Sequence, residues 1–236
     1  ESVTIIGSEE DQKKLAGSGQ IISNADFLKA MDTDIQKILT AVPGVYMRTE
    51  EGYGLRPNIS IRGTAIERSA KVAIMEDGVL VAPSPYTSSS AYYFPTTGRI
   101  HSVEVLKGPA AVSQGPQTIG GAINLISTPI PNAPSGKFVQ ELGENGMMRT
   151  HAYYGGTSGN FGGLVEVHEH ESDGFDSIAN VGGDTGFDKS DLMVKARYES
   201  GAHSLTLKMV DIDENSNQSY VGLSQASFNA NPRQRY

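Results

Sequence analysis

The sequence predicts a small α+β domain followed by a run of antiparallel β-strands, on three observations. The first is one strong helical pattern, Asp32 to Val42, set among short runs typical of strands. The second is a proline-rich stretch, P-I-P-N-A-P at residues 129–134, which marks a stiff boundary. The third is the change beyond it, where strands of about ten residues alternate in polarity between Gly, Asp and Asn clusters.

The chain begins with a β-prone run, Glu1 to Ile6, followed by polar residues Ser8 to Gln20 that lack any period. These residues are predicted to form an extended tail, and a frayed first strand is the alternative interpretation. In the helix that follows, Thr33 is the predicted N-cap and Gln36 completes a capping box. Its apolar stripe predicts packing on a sheet, which is a structural role.

Short strands follow the helix. Ile59 and Ile61 alternate with polar neighbours, and Val72 to Met75 is predicted to pair with Val79 to Ala82 around an Asp77-Gly78 hairpin turn. A small mixed sheet is therefore expected.

The stretch Arg99 to Ser127 organises this first domain. It alternates in polarity as far as Lys107, and Gly108-Pro109 ends that strand. A second short apolar run, Ala122 to Ser127, follows Gly120-Gly121, which permits a tight bend or a close backbone approach. Two strands joined by a compact connection are predicted.

Beyond the proline-rich boundary, each strand has one apolar and one ionisable face. We count five clear strands and a candidate sixth, with the pattern plainest in residues 149–156, 161–170, 191–198 and 204–209. In a soluble sandwich the ionisable face would point to water, whereas in an outer-membrane barrel the apolar face would meet lipid. The alternation alone is compatible with both.

Composition and motifs exclude several classes of function. A formal net charge of −8 argues against a nucleic-acid partner, which requires a basic face. No apolar run approaches the roughly 20 residues of a membrane-spanning helix. Cysteine is absent and no nucleotide-binding or hydrolase motif occurs, so no catalytic residue is predicted. Without a leader or an initiating Met, the chain is expected to start after a signal peptide that was removed or omitted.

Two groups of residues contain potential metal ligands. Glu166, His168 and His170 share one strand face, with His151 on a candidate neighbouring strand, but polar lining is the preferred interpretation. The run Asp211-x-Asp213-x-Asn215 begins like a calcium loop but lacks the glycine and the terminal glutamate of one. No metal site is predicted.

The motif V-E-V-L-K-G-P-A-A-V, followed by G-P-Q-T-I-G-G-A-I-N-L-I-S, closely resembles the signature of plug domains in TonB-dependent outer-membrane receptors. Three more stretches match in the family's order: D-I-Q-K-I-L-T-A-V-P-G-V at 34–45, N-I-S-I-R-G at 58–63 and M-E-D-G-V at 75–79. The run L-R-P-N-I-S-I-R-G followed by A-P-S-P-Y is most similar to the ferric-citrate branch.

The resemblance implies an α+β plug domain (small mixed sheet with helices) followed by antiparallel strands of an incomplete transmembrane β-barrel. The implied domains are an N-terminal tail with a candidate TonB box at 1–17, the plug at 18–131 and the first barrel strands at 132–236. Plugged transporters have about 22 strands, so we expect an N-terminal fragment or the interpretable part of a longer protein.

The function implied is that of a receptor, not an enzyme, which binds a ferric chelate (ferric citrate or a siderophore) and imports it with energy from the TonB complex. The chelate is a transported ligand, and no covalently bound cofactor is expected. Implied partners are the TonB protein and outer-membrane lipid, in a Gram-negative outer membrane, with the plug inside the barrel and the tail periplasmic. The alternative is a soluble extracellular binding module with a β-sandwich.

The resemblance also implies site residues. The TonB-binding strand would be Glu1, Ser2, Val3, Thr4, Ile5 and Ile6. The ligand-binding plug apices would be Glu67, Arg68, Ser69, Tyr86, Thr87, Ser88, Ser90 and Tyr92. Ser88 and Ser90 depart from the ferric-citrate branch, which carries amides there, and packing under a barrel wall is the alternative for Phe94 in the same loop. Arg62 and Lys107 would pair with barrel carboxylates, the alternative being that both reach solvent.

Overall fold

The computed structural model describes residues 4–30, 34–48, 53–81, 93–179, 182–217 and 222–235. The chain forms two compact units, Glu1–Pro129 and Ile130–Tyr236. The division lies within the proline-rich stretch that the sequence marks as a boundary. Among the described residues, no helix is long and apolar enough to cross a membrane.

The first unit combines short helices with a mixed sheet. Its elements are α1 (Glu9–Gln12), β1 (Ser18–Ile22), α2 (Asn24–Ala30), α3 (Ile35–Thr40), β2 (Val45–Arg48), β3 (Asn58–Ile61), β4 (Val72–Glu76), β5 (Val79–Leu80), β6 (Ile100–Lys107) and β7 (Gly121–Ser127). Five strands form one sheet in the order β1-β6-β7-β4-β5, in which β4 and β7 are parallel and the other pairs antiparallel. Strands β2 and β3 form a separate antiparallel pair.

Local turn chemistry explains the hairpin between β4 and β5. Asp77 and Gly78 have φ angles of 50° and 78°, the left-handed pair that a tight hairpin requires. The Asp77 carboxylate accepts hydrogen bonds from the backbone N–H and the hydroxyl of Ser127. The predicted hairpin is confirmed, and its turn is fixed to the end of β7.

The apolar face of α3 packs on the sheet, as its periodicity predicts. Ile35 and Leu39 are fully buried in the main core. Thr33, the predicted N-cap, lies outside the described residues; Asp34 caps the helix by accepting the backbone N–H of Gln36 at 2.8 Å. An Asp side chain can cap a helix because its carboxylate oxygen accepts a backbone N–H of the first turn, as the oxygen of a Ser or Thr hydroxyl does.

Of the aromatic residues near the end of the predicted loop, Tyr93 and Phe94 lie within the described part of the chain. Phe94 is 1% exposed and lies in the main core of the first unit. Tyr93 packs against the same core and its hydroxyl lies 3.1 Å from Arg99 Nη2. These two residues therefore stabilise the first unit itself.

The connection between β6 and β7 depends on close backbone approach. It contains a 3-10 turn, Pro109–Gln114, and returns at Gly121, whose φ is 147°. A Cβ at Gly121 would lie 2.4 Å from the Leu106 carbonyl oxygen. Only glycine fits between the two strands there.

The predicted extended tail is wrong for residues 8–20. Ser8 caps α1 through a capping box with Asp11, and Ser18 to Ile22 form β1, an edge strand antiparallel to β6. Sequence periodicity misses both elements because they are short and their stability comes from tertiary contacts, including the packing of Leu15 in a secondary core.

The second unit is dominated by long strands. Its elements are β8 (Ser135–Leu142), β9 (Met148–Ser158), β10 (Phe161–Ser172), β11 (Ser177–Ile178), β12 (Phe187–Ser200), β13 (His203–Ser216), α4 (Gln225–Ala230) and β14 (Gln234–Arg235). Five of them form an antiparallel sheet in the order β13-β12-β10-β9-β8, and β11 pairs with β14. The predicted long antiparallel strands are confirmed.

This sheet exposes its apolar face and buries its ionisable face. Leu207 is 63% exposed, whereas Glu166 and Asp191 are 1% and 3% exposed. The exposed apolar face contains Tyr154, Phe161, Val165, Val167, Leu192, Tyr198, Leu205, Leu207 and Met209. A soluble sandwich would have the opposite polarity, because its apolar faces pack together. The observed polarity is that of a strand with lipid outside and a polar interior.

The connections of the sheet differ in length at its two ends. Two-residue turns join β9 to β10 and β12 to β13, while residues 173–186 connect β10 to β12. The rings of Phe161 and Tyr198 pack against each other next to the short turns, tilted by 45° and with centroids 4.8 Å apart. Aromatic residues at the limit of an apolar band are typical of a membrane–water boundary.

Candidate functional site

The chemically most distinctive site in the first unit is a buried carboxylate on an interior strand of its sheet. Glu104 lies in β6, directly opposite Asn124 of β7, and is only 2% exposed. Asn124 Nδ2 donates to Glu104 Oε2 at 2.9 Å, and Asn124 Oδ1 accepts the backbone N–H of Gly78 at 2.9 Å. Burial of a charge is unfavourable unless hydrogen bonds surround it, so Glu104 needs further donors.

Those donors come from the chain's N-terminal end. The backbone N–H of Ile5 donates to Glu104 Oε2 at 2.7 Å, and those of Ile6 and Gly7 donate to Oε1 at 3.1 and 3.4 Å. With Asn124, the carboxylate therefore accepts four hydrogen bonds from two distant parts of the sequence. Hydrogen bonds to a charged group are about twice as strong as neutral ones.

An apolar contact reinforces this attachment. The Ile6 side chain is 5% exposed and belongs to a small core with Ala73, Met75, Leu106, Ala111 and Ala122. Burying such a side chain contributes roughly 1.5–3 kcal/mol. We name Thr4–Gly7 the N-terminal segment, and Glu104 with Asn124 the Glu104 site.

The predicted TonB-binding strand overlaps this segment. Glu1, Ser2 and Val3 lie outside the described residues, and Thr4 is exposed. Ile5 is half-buried and Ile6 buried, which corrects the expectation of an accessible tail at these two positions. The sequence offers one signal for the Glu104 site: a carboxylate between the apolar residues of V-E-V-L in a predicted strand.

The predicted ligand-binding turn is strained and partly exposed. Arg68 and Ser69 have left-handed φ angles of 50° and 56°, which side chains other than glycine rarely adopt. Glu67 forms a bidentate ion pair with Arg48 at 2.8 and 2.7 Å, and these hydrogen bonds lower the pKa of the Glu67 carboxyl. Strained turns cluster at functional sites.

Ser69 differs from its two neighbours because its hydroxyl is committed to the fold. It accepts the backbone N–H of Ile59 and donates to the Pro57 carbonyl, both at 3.0 Å, and the residue is fully buried. Its side chain therefore does not face solvent, contrary to the expectation for an apex residue. The other predicted apex residues, Tyr86, Thr87, Ser88, Ser90 and Tyr92, lie outside the described part of the chain.

Two predicted ion-pairing cations lie near each other in the first unit. Lys107 is 6% exposed and donates to the Pro43 carbonyl at 2.9 Å, while the exposed Arg62 donates to Ser18 Oγ at 3.2 Å. Burial, and then the Arg62 charge, lower the pKa of Lys107 below its usual 10.5. Among the described residues, neither cation lies within ion-pair distance of a carboxylate.

The histidine cluster of the second unit lies on its buried face. His151 and His168 are directly opposed in β9 and β10, and His151 Nε2 lies 2.6 Å from Glu166 Oε1. Within the described ranges, no group of three His, Cys, Asp or Glu is placed to hold a metal. Asp211 to Asn215 lie in β13 rather than in a loop.

Comparisons with known proteins agree with this architecture. A sequence model of the TonB-dependent receptor plug domain matches residues 11–122. The chain is 24% identical over 204 residues to the vitamin B12 transporter BtuB of Photobacterium profundum, covering 85% of this chain and 33% of that protein. It is 28% identical over 127 residues to BtuB of Vibrio vulnificus, covering 54% of this chain and 20% of that protein.

Solved structures show the same fold. The unliganded ferric citrate transporter FecA superposes with a TM-score of 0.80 at 24% identity, covering 98% of this chain and 36% of FecA. The siderophore receptor PirA from Acinetobacter baumannii superposes with a TM-score of 0.68 at 20% identity, covering 89% of this chain and 33% of PirA. The chain thus spans about a third of the length of these receptors.

Members of the matched family are receptors and transporters, not enzymes. The family match covers Glu104 and most of the mixed sheet, and the long strands that follow have the polarity of a barrel wall. Residues 11–122 thus match the plug domain of TonB-dependent receptors, and the antiparallel strands of an incomplete barrel follow them.

Proposed function

We propose that the complete protein is a receptor of the Gram-negative outer membrane that binds a ferric chelate and imports it with energy from the TonB complex. The observation that carries this proposal is the presence, in one chain, of a plug domain and a sheet with an exposed apolar face and a buried ionisable face. Such a sheet is stable beside lipid. In this arrangement the plug occupies the barrel, and the N-terminal end faces the periplasm.

Two features favour a ferric chelate as ligand. The structural likeness to FecA extends over 98% of the chain, and PirA, another similar structure, is a siderophore receptor. The turn at Glu67–Ser69 also carries Arg68, and Arg48 pairs with Glu67 of the same turn; guanidinium groups suit an anionic ligand such as ferric citrate. A cobalamin is the second candidate, because the BtuB proteins are sequence relatives.

In this proposal Glu67 and Arg68 contact the ligand together with Tyr86, Thr87, Ser88, Ser90 and Tyr92. Equilibrium dialysis of the purified full-length receptor tests it, with ⁵⁵Fe-citrate, ⁵⁵Fe-siderophores of several classes and ⁵⁷Co-cobalamin. We expect saturable binding of one ferric chelate, at least about 100-fold tighter than binding of cobalamin. A ligand that does not match the site leaves several of the hydrogen bonds of the site unmade.

Arg68→Gln provides the site-specific arm of the same measurement. Loss of a charge-assisted hydrogen bond predicts about tenfold weaker binding of the ferric chelate. Lys71→Gln, which removes an exposed cation from the same unit, is the matched control and should leave the affinity unchanged. Tighter binding of cobalamin than of every ferric chelate would instead assign the receptor to the second candidate.

We further propose that Lys107 and Arg62 pair with carboxylates of the barrel in the complete protein. In this proposal the barrel carboxylate outweighs burial and the Arg62 charge, so it favours charged Lys107 and raises its pKa above the usual 10.5. The stabilisation from such a pair is present below the unfolded pKa, near 10.5, and is lost as pH rises through the folded pKa. Without a carboxylate the folded pKa stays depressed, and stability rises with pH as Lys107 loses its proton.

The presence and the absence of the pair predict opposite slopes of folding stability against pH. Urea unfolding of the full-length receptor between about pH 8 and pH 11 distinguishes the two cases. With the pair, the stability advantage of the native protein over Lys107→Met is constant to about pH 10 and falls above it. An advantage that grows steadily with pH toward 10.5 would refute the pair. Lys71→Met serves as the control for loss of an exposed lysine.

A further inference from the structure

We infer that Glu67 competes with the ligand for the guanidinium of Arg48, so that a multiply charged anion binds tightly and a neutral or singly charged chelate binds weakly. This role of Glu67 rests on the proposed function, because it concerns the ligand of the turn at Glu67–Ser69. Arg48 then belongs to the site as a ligand-binding residue. Glu67 takes part in the site as a competitor of the ligand.

Glu67 occupies the two terminal nitrogens of the Arg48 guanidinium. Arg48 Nη1 donates to Glu67 Oε1 at 2.8 Å, and Arg48 Nη2 donates to Glu67 Oε2 at 2.7 Å. A guanidinium binds any carboxylate in this two-pronged geometry, including a carboxylate of a ligand. A ligand that binds Arg48 in the same way must therefore displace Glu67.

The pair is accessible to a ligand and weak enough to exchange. The side chains of Arg48 and Glu67 are 46% and 70% exposed. An exposed ion pair contributes little to stability, because water solvates both groups when the pair opens. The Glu67 side chain can therefore leave Arg48 without disturbing the core of the first unit.

The backbone of the turn is fixed, so the exchange involves the Glu67 side chain alone. The backbone N–H of Arg68 donates to Asn58 Oδ1 at 2.7 Å, and Asn58 is buried. The buried Ser69 hydroxyl forms hydrogen bonds with two backbone groups. These contacts hold Arg68 and Ser69 in their left-handed conformations. A ligand consequently meets a preformed turn in which the Glu67 side chain is the part that moves.

The charges around Glu67 determine which ligands can displace it. The hydrogen bonds from Arg48, and then the charges of Arg48 and Arg68, lower the pKa of the Glu67 carboxyl. Both guanidinium groups therefore act on the position of this carboxylate. A singly charged ligand only exchanges one carboxylate for another at Arg48 and gains little. A ligand with several negative charges can bind Arg48 and also interact with Arg68, so Glu67 favours polyanionic ferric chelates.

Equilibrium dialysis compares the native full-length receptor with Glu67→Gln, Arg48→Gln and the double variant. The probes are ⁵⁵Fe-citrate, an anionic ⁵⁵Fe-tricatecholate and a neutral ⁵⁵Fe-trihydroxamate. For the anionic chelate that binds, Glu67→Gln should increase the affinity about two- to fivefold, because the ligand no longer displaces an ion pair. Arg48→Gln should weaken binding about tenfold. Glu10→Gln removes an exposed carboxylate of the same unit and should leave the affinity unchanged.

The double variant distinguishes competition for Arg48 from simple repulsion of the ligand by Glu67. If Glu67 acts through Arg48, Glu67→Gln should give no gain in affinity in the Arg48→Gln background. An equal gain in both backgrounds would overturn the inference. Equal affinity of the native protein and Glu67→Gln for the anionic chelate would overturn it too, as would tightest binding of the trihydroxamate.

Labelling of Arg48 by phenylglyoxal, which modifies accessible guanidinium groups, is a second readout that needs no ligand. Glu67→Gln should accelerate this labelling at least about twofold, relative to the exposed Arg233 of the same chain. Unchanged labelling would show that Glu67 does not hold Arg48, and it would overturn the inference while leaving the proposed function standing. Faster labelling together with binding of ⁵⁷Co-cobalamin alone would overturn the proposed function and the selection of polyanions with it. The two failures are therefore distinguishable.

Discussion

A full-length receptor carrying Val3→Pro should bind its ferric chelate normally and fail to import it. Proline has no backbone N–H and fixes φ, so it removes a donor from any strand that Glu1–Ile6 forms with the partner. The ligand-binding turn at Glu67–Ser69 lies far from this stretch in sequence. We expect ligand affinity within about twofold of the native protein and uptake reduced to the level of a receptor lacking residues 1–6.

The position of the proline matters. Ile5→Pro would also remove the N–H that donates to Glu104, so its effect would mix partner binding with attachment of the N-terminal segment. Val3→Thr, which keeps the N–H and the β-branched side chain, is the matched control and should transport normally. Undiminished uptake by the proline variant would exclude residues 1–6 as the energy-coupling strand.

Glu76→Leu should be among the most destabilising single substitutions in the plug. Arg99 is 1% exposed, pairs with both oxygens of Glu76 and lies 3.1 Å from the Tyr93 hydroxyl. Removing the carboxylate takes away the counter-charge that Glu76 supplies to a buried guanidinium, which costs about 3–5 kcal/mol. Urea unfolding of the full-length receptor, followed by exchange in β4, β6 and β7, measures the loss.

A double variant and a matched pair make this prediction specific. Glu76→Leu combined with Arg99→Met removes both charges, so it should recover most of the lost stability if the penalty is electrostatic. Glu67→Leu breaks an equally bidentate pair with Arg48, but on the surface, and should produce no measurable change. Equal effects of Glu76→Leu and Glu67→Leu would show that burial of the pair is not what matters.

The sequence predicts those parts of the fold that local rules determine. Asp77-Gly78 demands a left-handed turn, and the strict alternation of β10 separates Val165 and Val167 from Glu166 and His168. These elements need no tertiary information. Tertiary information was needed to decide whether the apolar face meets lipid or water, because only the burial of the ionisable face distinguishes a barrel wall from a sandwich.

The candidate site was less predictable, for three physical reasons. The attachment of Ile5 and Ile6 depends on a carboxylate about a hundred residues away, and contacts at that separation leave no local pattern. The sequence suggests that Ser69 exposes its hydroxyl in a turn, but that hydroxyl forms hydrogen bonds with two backbone groups inside the fold. Short elements such as α1 and β1 are stable only because tertiary packing supports them.

Uptake by cells that depend on the full-length receptor tests the central claim most directly. Cells are supplied in parallel with the ferric chelate that binds, labelled with ⁵⁵Fe, and with ⁵⁷Co-cobalamin, before and after the protonmotive force is collapsed with an uncoupler. The account predicts accumulation of iron that stops with the uncoupler and with Val3→Pro, and no accumulation of cobalamin. Iron accumulation that survives both treatments, or energy-dependent accumulation of cobalamin alone, would contradict it.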